Sequence, residues 1–175
     1  MNIRVLITLS LLVGIGTVLH AVVPGFVFGV KPDMLLSMMF LGIFLFPKAK
    51  YVLLLALVSG IISALTTQAP GGQIANMIDK PVTAFVVLAL FLLLQNKVKS
   101  NNINAPLLTF VGTLISGSIF ATVVALIAGL GEGGFIALFV GAILPAAAVN
   151  TVIMVVVYPI VQSIMKRTKF ATAFN

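Results

Sequence analysis

The stretch Arg4-Val5-Leu6-Ile7-Thr8-Leu9-Ser10-Leu11-Leu12-Val13-Gly14-Ile15-Gly16-Thr17-Val18-Leu19-His20-Ala21-Val22-Val23-Pro24 decides the fold class. Preceded by Met1-Asn2-Ile3 and opening on one basic residue, it has the outline of a secretory leader. Its apolar run from Val5 to Val23 exceeds the roughly 7–15 residues of a leader's core, and no small-residue cleavage site follows. A run of this length suits a helix crossing a hydrocarbon layer of about 30 Å at about 1.5 Å per residue. It reads as a first transmembrane span.

The rest of the chain agrees. Of 175 residues, 61% are hydrophobic and only 7% charged, against about 25% charged in soluble domains. The mean hydropathy is +1.28. A soluble one-core protein and a disordered tail are both excluded. Hydropathy breaks at Pro24–Asp33, Pro47–Lys50, Thr67–Lys80, Asn96–Asn104 and Gly129–Gly134 leave six spans. These lie near Val5–Val23, Met34–Phe46, Tyr51–Thr66, Pro81–Gln95, Ala105–Ala128 and Phe135–Met165. Nothing alternates with period two over ten-residue stretches, which excludes a β-barrel. The expectation is an all-α polytopic membrane protein with one transmembrane domain over residues 1–175. The second and fourth spans are short, so they borrow flanking residues or end in a water-filled hollow. Pro145 predicts a kink or tilt in the sixth span.

Charge sorts by loop. Arg4, Lys48, Lys50, Lys97, Lys99, Lys166, Arg167 and Lys169 fall on one side of a six-span layout. Lys31 and Lys80 fall on the other, with all three acids, Asp33, Asp79 and Glu132. Positive charge gathers on the cytoplasmic side, which puts both termini in the cytoplasm. The net charge of +7 is thus an orientation signal rather than a nucleic-acid footprint, and Lys166-Arg167-Thr168-Lys169 is compatible with anionic lipid. Cysteine is absent and His20 is the one histidine, so disulfides, thiolate metal sites and His-rich metal sites are excluded. No metal or cofactor is expected.

The outer connections are richer than spacers. Pro24-Gly25-Phe26-Val27-Phe28-Gly29-Val30-Lys31-Pro32-Asp33-Met34 and Thr66-Thr67-Gln68-Ala69-Pro70-Gly71-Gly72-Gln73-Ile74-Ala75-Asn76-Met77-Ile78-Asp79-Lys80-Pro81 mix charges, amides and apolar groups with glycine and proline. Lys31 and Lys80 each precede a proline where a span is expected to begin, a position proline suits. A cation there opposes the helix macrodipole by about 0.3–1 kcal/mol, which makes sense if an anion binds between them. The plainer reading pairs Lys31 with Asp33 and Lys80 with Asp79 as interfacial salt bridges. Neighbours i and i+1 on a helix do not face one another, which weakens the second pair. Lys31, Asp33, Met34, Asn76, Asp79 and Lys80, beside Phe26, Phe28 and Met77, imply a zwitterion with an apolar body, such as an amino acid.

Asn150 is the strongly polar side chain in the middle of the sixth span, a functional group or an interhelical hydrogen bond. His20 reads as packing or capping, and Glu132 as a solvated loop charge. Small residues recur every fourth position at Gly117, Ala121, Ala125 and Gly129, read as internal packing, and at Ser10 and Gly14, read as packing or as a docking face. No GxxxxGK[ST] phosphate loop and no Ser/His/Asp constellation occurs. An enzyme is not expected. With its ionisable groups at the rims, the chain reads as a binding subunit energised by partners. The rivals are a stand-alone ion-coupled amino-acid transporter and a membrane scaffold without solute.

Six spans, outer binding loops and a small-residue first helix resemble the substrate-binding S component of energy-coupling-factor transporters. Gly29-Val30-Lys31-Pro32-Asp33-Met34-Leu35-Leu36-Ser37-Met38-Met39-Phe40 and Gly71-Gly72-Gln73-Ile74-Ala75-Asn76-Met77-Ile78-Asp79-Lys80-Pro81 resemble the bacterial tryptophan transporter family TrpP. The resemblance implies tryptophan uptake across the bacterial plasma membrane, with capture on the outside. It also implies two cytoplasmic ATPases and a transmembrane coupling protein as partners, and an S component that topples to release its load. Lys80 or Lys31 would then hold the substrate carboxylate and Asp33 or Asp79 its ammonium. Gln73, Asn76 and Asn150 would complete the polar shell. Ser10-x-x-x-Gly14 stands nearest to the Ala-x-x-x-Ala docking face of S components, with Ser and Gly in place of Ala.

Overall fold

A computed structural model describes residues 2–22, 33–95, 101–129 and 132–167. Its helices are α1 (Ile3–Val22), α2 (Met34–Leu45), α3 (Ala49–Thr66), α4 (Gly72–Gln95), α5 (Asn101–Ala128), α6 (Glu132–Leu138) and α7 (Leu144–Arg167). A π-helical turn, Phe139–Ile143, joins α6 to α7 without a break, so the sixth span is one rod. Among the described residues there is no strand. Five spans are long and apolar enough to cross a membrane, and α2 is the shorter sixth.

The short α2 is the hub. Apolar all round apart from Ser37, it has no face suited to water and must be enclosed. Leu35 through Phe44 are all buried, and α2 touches α1, α3, α4, α5 and α7. Glycines permit the closest of these approaches: a Cβ on Gly16 would sit 3.1 Å from Met38 Cβ, and one on Gly42 2.7 Å from Leu55 Cδ1. At the C-terminal end of α2, Phe44 packs against Phe91 (centroids 5.2 Å apart) and edge-on against Tyr158 (6.3 Å). Ile3, Ile7, Leu11, Ile15, Val18 and Val22 of α1 point out of the bundle as a lipid-facing band. With Asp33 as its N-cap, α2 starts at a hollow, one of the two outcomes expected of a short span.

The fourth span takes the other outcome expected of a short span and borrows flanking residues. It begins at Gly72 rather than Pro81, because Gly71 turns the chain with φ +74° and the Ala75 N–H bonds the Gly71 carbonyl. Pro81 therefore lies inside α4 rather than at its first position, where it withholds one intrahelical donor. In the sixth span the distortion expected near Pro145 takes the form of the π turn just before it. Proline offers no N–H to the carbonyl four residues back, and the widened turn accommodates that gap. Of the small residues expected to serve packing in the fifth span, Gly117 and Ala121 do so, whereas Gly129 lies past the end of α5, exposed and with open space about it. A Cβ on Gly117 would meet Ile143 Cγ2 at 2.5 Å, and Ala121 is buried.

Candidate binding site

Because residues 72–80 are helical, spacing decides which side chains of that segment turn inward. Gly72, Ala75, Asn76, Asp79, Lys80 and Thr83 recur at three- and four-residue steps and are buried. Gln73 and Met77 lie on the opposite, exposed side of α4. Gln73 therefore does not join the polar cluster as a loop reading allowed.

Lys80 is the centre of that cluster. Its ammonium donates to Asp33 Oδ2 at 2.9 Å and to Asp79 Oδ2 at 3.1 Å. Lys80 is 3% exposed and Asp79 0%, whereas Asp33 keeps 26%. Buried charges persist only when paired and hydrogen-bonded. Here Asp79 also accepts from Thr83 Oγ1 at 2.8 Å and from Ser116 Oγ at 2.7 Å. Asp33 caps α2 by accepting the Leu36 N–H on Oδ1 at 2.9 Å, and His20 Nδ1 stands 3.6 Å from that same oxygen. Burial works against a charged Asp33, but Lys80, His20 and the Leu36 N–H together hold its carboxyl below the usual carboxylate range. Asn76 donates to the Ser63 and Gly72 carbonyls, at 3.3 and 2.9 Å.

These groups line one side of a cavity of about 510 Å³, inside the range of roughly 300–1,000 Å³ typical of small-molecule sites. Leu36, Phe120, Ile143 and Ala146 form its apolar wall, and Gly117 and Gly141 leave room beside it. The π turn contributes Gly141, Ala142 and Ile143 directly. Two carboxylates against one lysine leave capacity for a further cation. The third hydrogen of the lysine ammonium is free to meet an anion.

Several expectations change. Lys80 sits inside α4 rather than ahead of a helix, so it opposes no helix end, and two carboxylates meet its charge. Its contact with adjacent Asp79 forms despite the i, i+1 spacing. The ionisable groups do not all stay at the rims, since Asp79 and Lys80 are enclosed within a span. Met34 is half-buried and off the cavity wall. Lys31, Phe26 and Phe28 lie outside the described residues. Asn150 stands one layer behind the wall, donating to Thr113 Oγ1 at 3.3 Å. His20 is on the cavity wall rather than in plain packing. Ser10 and Gly14 face outward on α1, and a Cβ on Gly14 would meet nothing within 4 Å.

Sequence reasoning passed over Ser63, Thr67, Thr83, Thr113, Ser116 and Phe120. Two signals were available. Thr83 falls one turn after Asp79, and Thr113 and Ser116 share a face of α5. Among the described residues no three His, Cys, Asp or Glu side chains converge to hold a metal.

Comparison with known proteins bears on this geometry. A family model described as tryptophan transporter TrpP matches residues 2–166. A probable tryptophan transport protein of Bacillus subtilis (strain 168) is 49% identical over 173 residues, covering 99% of both chains. One of the same description from Clostridium acetobutylicum is 36% identical over 166 residues, covering 95% of this chain and 96% of its own. Another, from Clostridium perfringens, is 35% identical, covering 95% and 98%. No solved structure matches the chain.

Proposed function

Because the chain belongs to the tryptophan transporter TrpP family, a family of multi-pass plasma-membrane transporters rather than enzymes, we propose that its cavity holds tryptophan during uptake. The observation that carries this reading is the pairing, in one hollow, of the Asp33–Lys80–Asp79 cluster with the apolar wall of Leu36, Phe120 and Ile143. The substrate ammonium goes to Asp33, whose carboxylate keeps the most exposure of the three charged groups. The substrate carboxylate takes the remaining donor of Lys80, and Lys31 is proposed as a second cation for it. Asn76 is the nearest amide and Asn150 acts through Thr113. The indole lies on Phe120. Burying that ring favours binding by about 1.5–3 kcal/mol, and the charged groups set the requirement for an α-amino acid.

In this reading residues 1–175 form one substrate-binding domain with both termini in the cytoplasm. The cavity end faces outward, since the basic residues gather at the opposite end. The chain then serves as the S component of an energy-coupling-factor transporter. A transmembrane coupling protein docks on the outward face of α1 at Ser10 and Gly14, and two cytoplasmic ATPases supply the drive. The small, unfilled α1 face around Gly14 supports that docking. A second reading, a stand-alone ion-coupled transporter, is favoured by one observation: the buried Asp79–Lys80 pair inside a span, a place where ionisable groups often mark ion pathways.

Two measurements test this. Titration calorimetry in detergent should show tryptophan affinity reduced about tenfold or more in Asp33→Asn, which keeps the helix cap while removing the charge. A similar loss is expected in Phe120→Ala, and unchanged affinity in both variants refutes the site. Reconstituted uptake then separates the drives: ATP-dependent accumulation only with partner proteins supports the S component. Accumulation by the chain alone under an ion gradient supports the rival.

A further inference from the structure

A second cavity, of about 400 Å³, opens at the other end of the bundle, where α2 ends, α3 begins and α7 finishes. Its floor is aromatic: Phe44, Phe91 and Tyr158, all buried, with Phe46 and Tyr51 edge-on to each other at 6.3 Å. Its cations are Lys48 and Lys166, both exposed, and the Gln162 amide reaches the Tyr158 hydroxyl at 3.4 Å. It contrasts with the first cavity in charge. The sequence holds three acids. Asp33 and Asp79 line the first cavity, and Glu132 opens α6, on the far side of the π turn that also lines it. Among the described residues no Asp or Glu lines this second cavity to pair with an ammonium group.

We propose that this second cavity is a binding site for planar aromatic carboxylates that lack an ammonium group. A wall of aromatic rings favours a flat aromatic body. Two lysines and no acid select a monoanion and repel a free amine. A zwitterion held by both of its charges in the first cavity would lose its cationic partner here. The two ends therefore sort related molecules by the presence of the amino group. The assignment stands on this cavity's own lining and does not depend on tryptophan occupying the first.

The test uses the full chain, purified in a detergent with neutral headgroups, with indole-3-acetate as the probe. Calorimetry should show saturable binding that added tryptophan does not displace. Affinity should fall about tenfold or more in the double variant Lys48→Gln, Lys166→Gln, the scale of a lost charge-assisted contact. Both lysines are exposed, so the double variant should melt like the parent. Lys166→Glu should shift preference toward tryptamine, which the parent rejects. Four results would overturn the proposal: no saturable binding, displacement by tryptophan, undiminished affinity in the double variant, or displacement by phosphatidylglycerol micelles, which would make the site a lipid-headgroup pocket.

Discussion

Replacing Lys80 by methionine keeps the bulk of the stem and removes its charge. The variant leaves Asp79, 0% exposed, with the Thr83 and Ser116 hydroxyls as its hydrogen-bond donors and no cation. Breaking a buried pair by deleting one partner costs about 3–5 kcal/mol. For a chain of this size, about 2–4 °C is lost per kcal/mol, so the heat-denaturation midpoint in detergent should fall by roughly 6–20 °C. The companion substitution Asp79→Asn removes the stranded charge. The double variant should therefore recover part of the loss, and the cycle should return a coupling of about 0.5–3 kcal/mol. Asp33 is left out of the cycle because it is partly exposed and also caps α2. A Lys80→Met protein that melts with the parent, or a coupling near zero, refutes the account of this cluster as a mutually dependent buried group.

Gly117→Val should destabilise by about 1–3 kcal/mol through overpacking and weaken tryptophan binding, because its Cβ would meet Ile143 on the cavity wall at 2.5 Å; calorimetry and a melting curve check both. Thr113→Val removes the acceptor of the buried Asn150 amide and should cost about 1–3 kcal/mol, an expectation that Asn150→Leu in the same background should largely reverse. Gly14→Leu points into open space, so melting and tryptophan affinity should stay at parental values while partner-driven uptake falls. Unchanged uptake would remove Ser10 and Gly14 from the docking face.

The spans were legible because long apolar runs leave little else for the chain to do, and the short second span announced itself as α2. The start of α4 was hidden. Gly71-Gly72, Asp79 and Pro81 all carry loop chemistry, yet Gly71 turns the chain and the polar residues after it share one buried helical face. Once that segment is helical, Asn76, Asp79 and Lys80 converge and Gln73 turns away. The charged half of the cavity was thus visible as residue types, though not as a face. Its hydroxyls carried only the faint signal of shared helical faces, and its apolar wall carried none, since Phe120 looks like any other residue of an apolar span until α5 and the π turn are placed beside α4. The second cavity is built from residues that sequence reading assigns to core and to charge topology, and only their meeting at one end of the bundle makes them a site.

The π turn at Phe139–Ile143 sets how this chain tolerates indels. A π turn holds one residue more than the α-helix around it needs. Deleting a single residue there would let the rod run as ordinary helix with the rest of the span keeping its facing, whereas the same deletion in a regular α-helical stretch would rotate everything upstream by about 100° at 3.6 residues per turn. Only the Gly141–Ala142 edge of the hollow would be redrawn. A frame-preserving deletion of one codon is therefore better absorbed at this turn than elsewhere in the span, at the cost of a reshaped cavity wall.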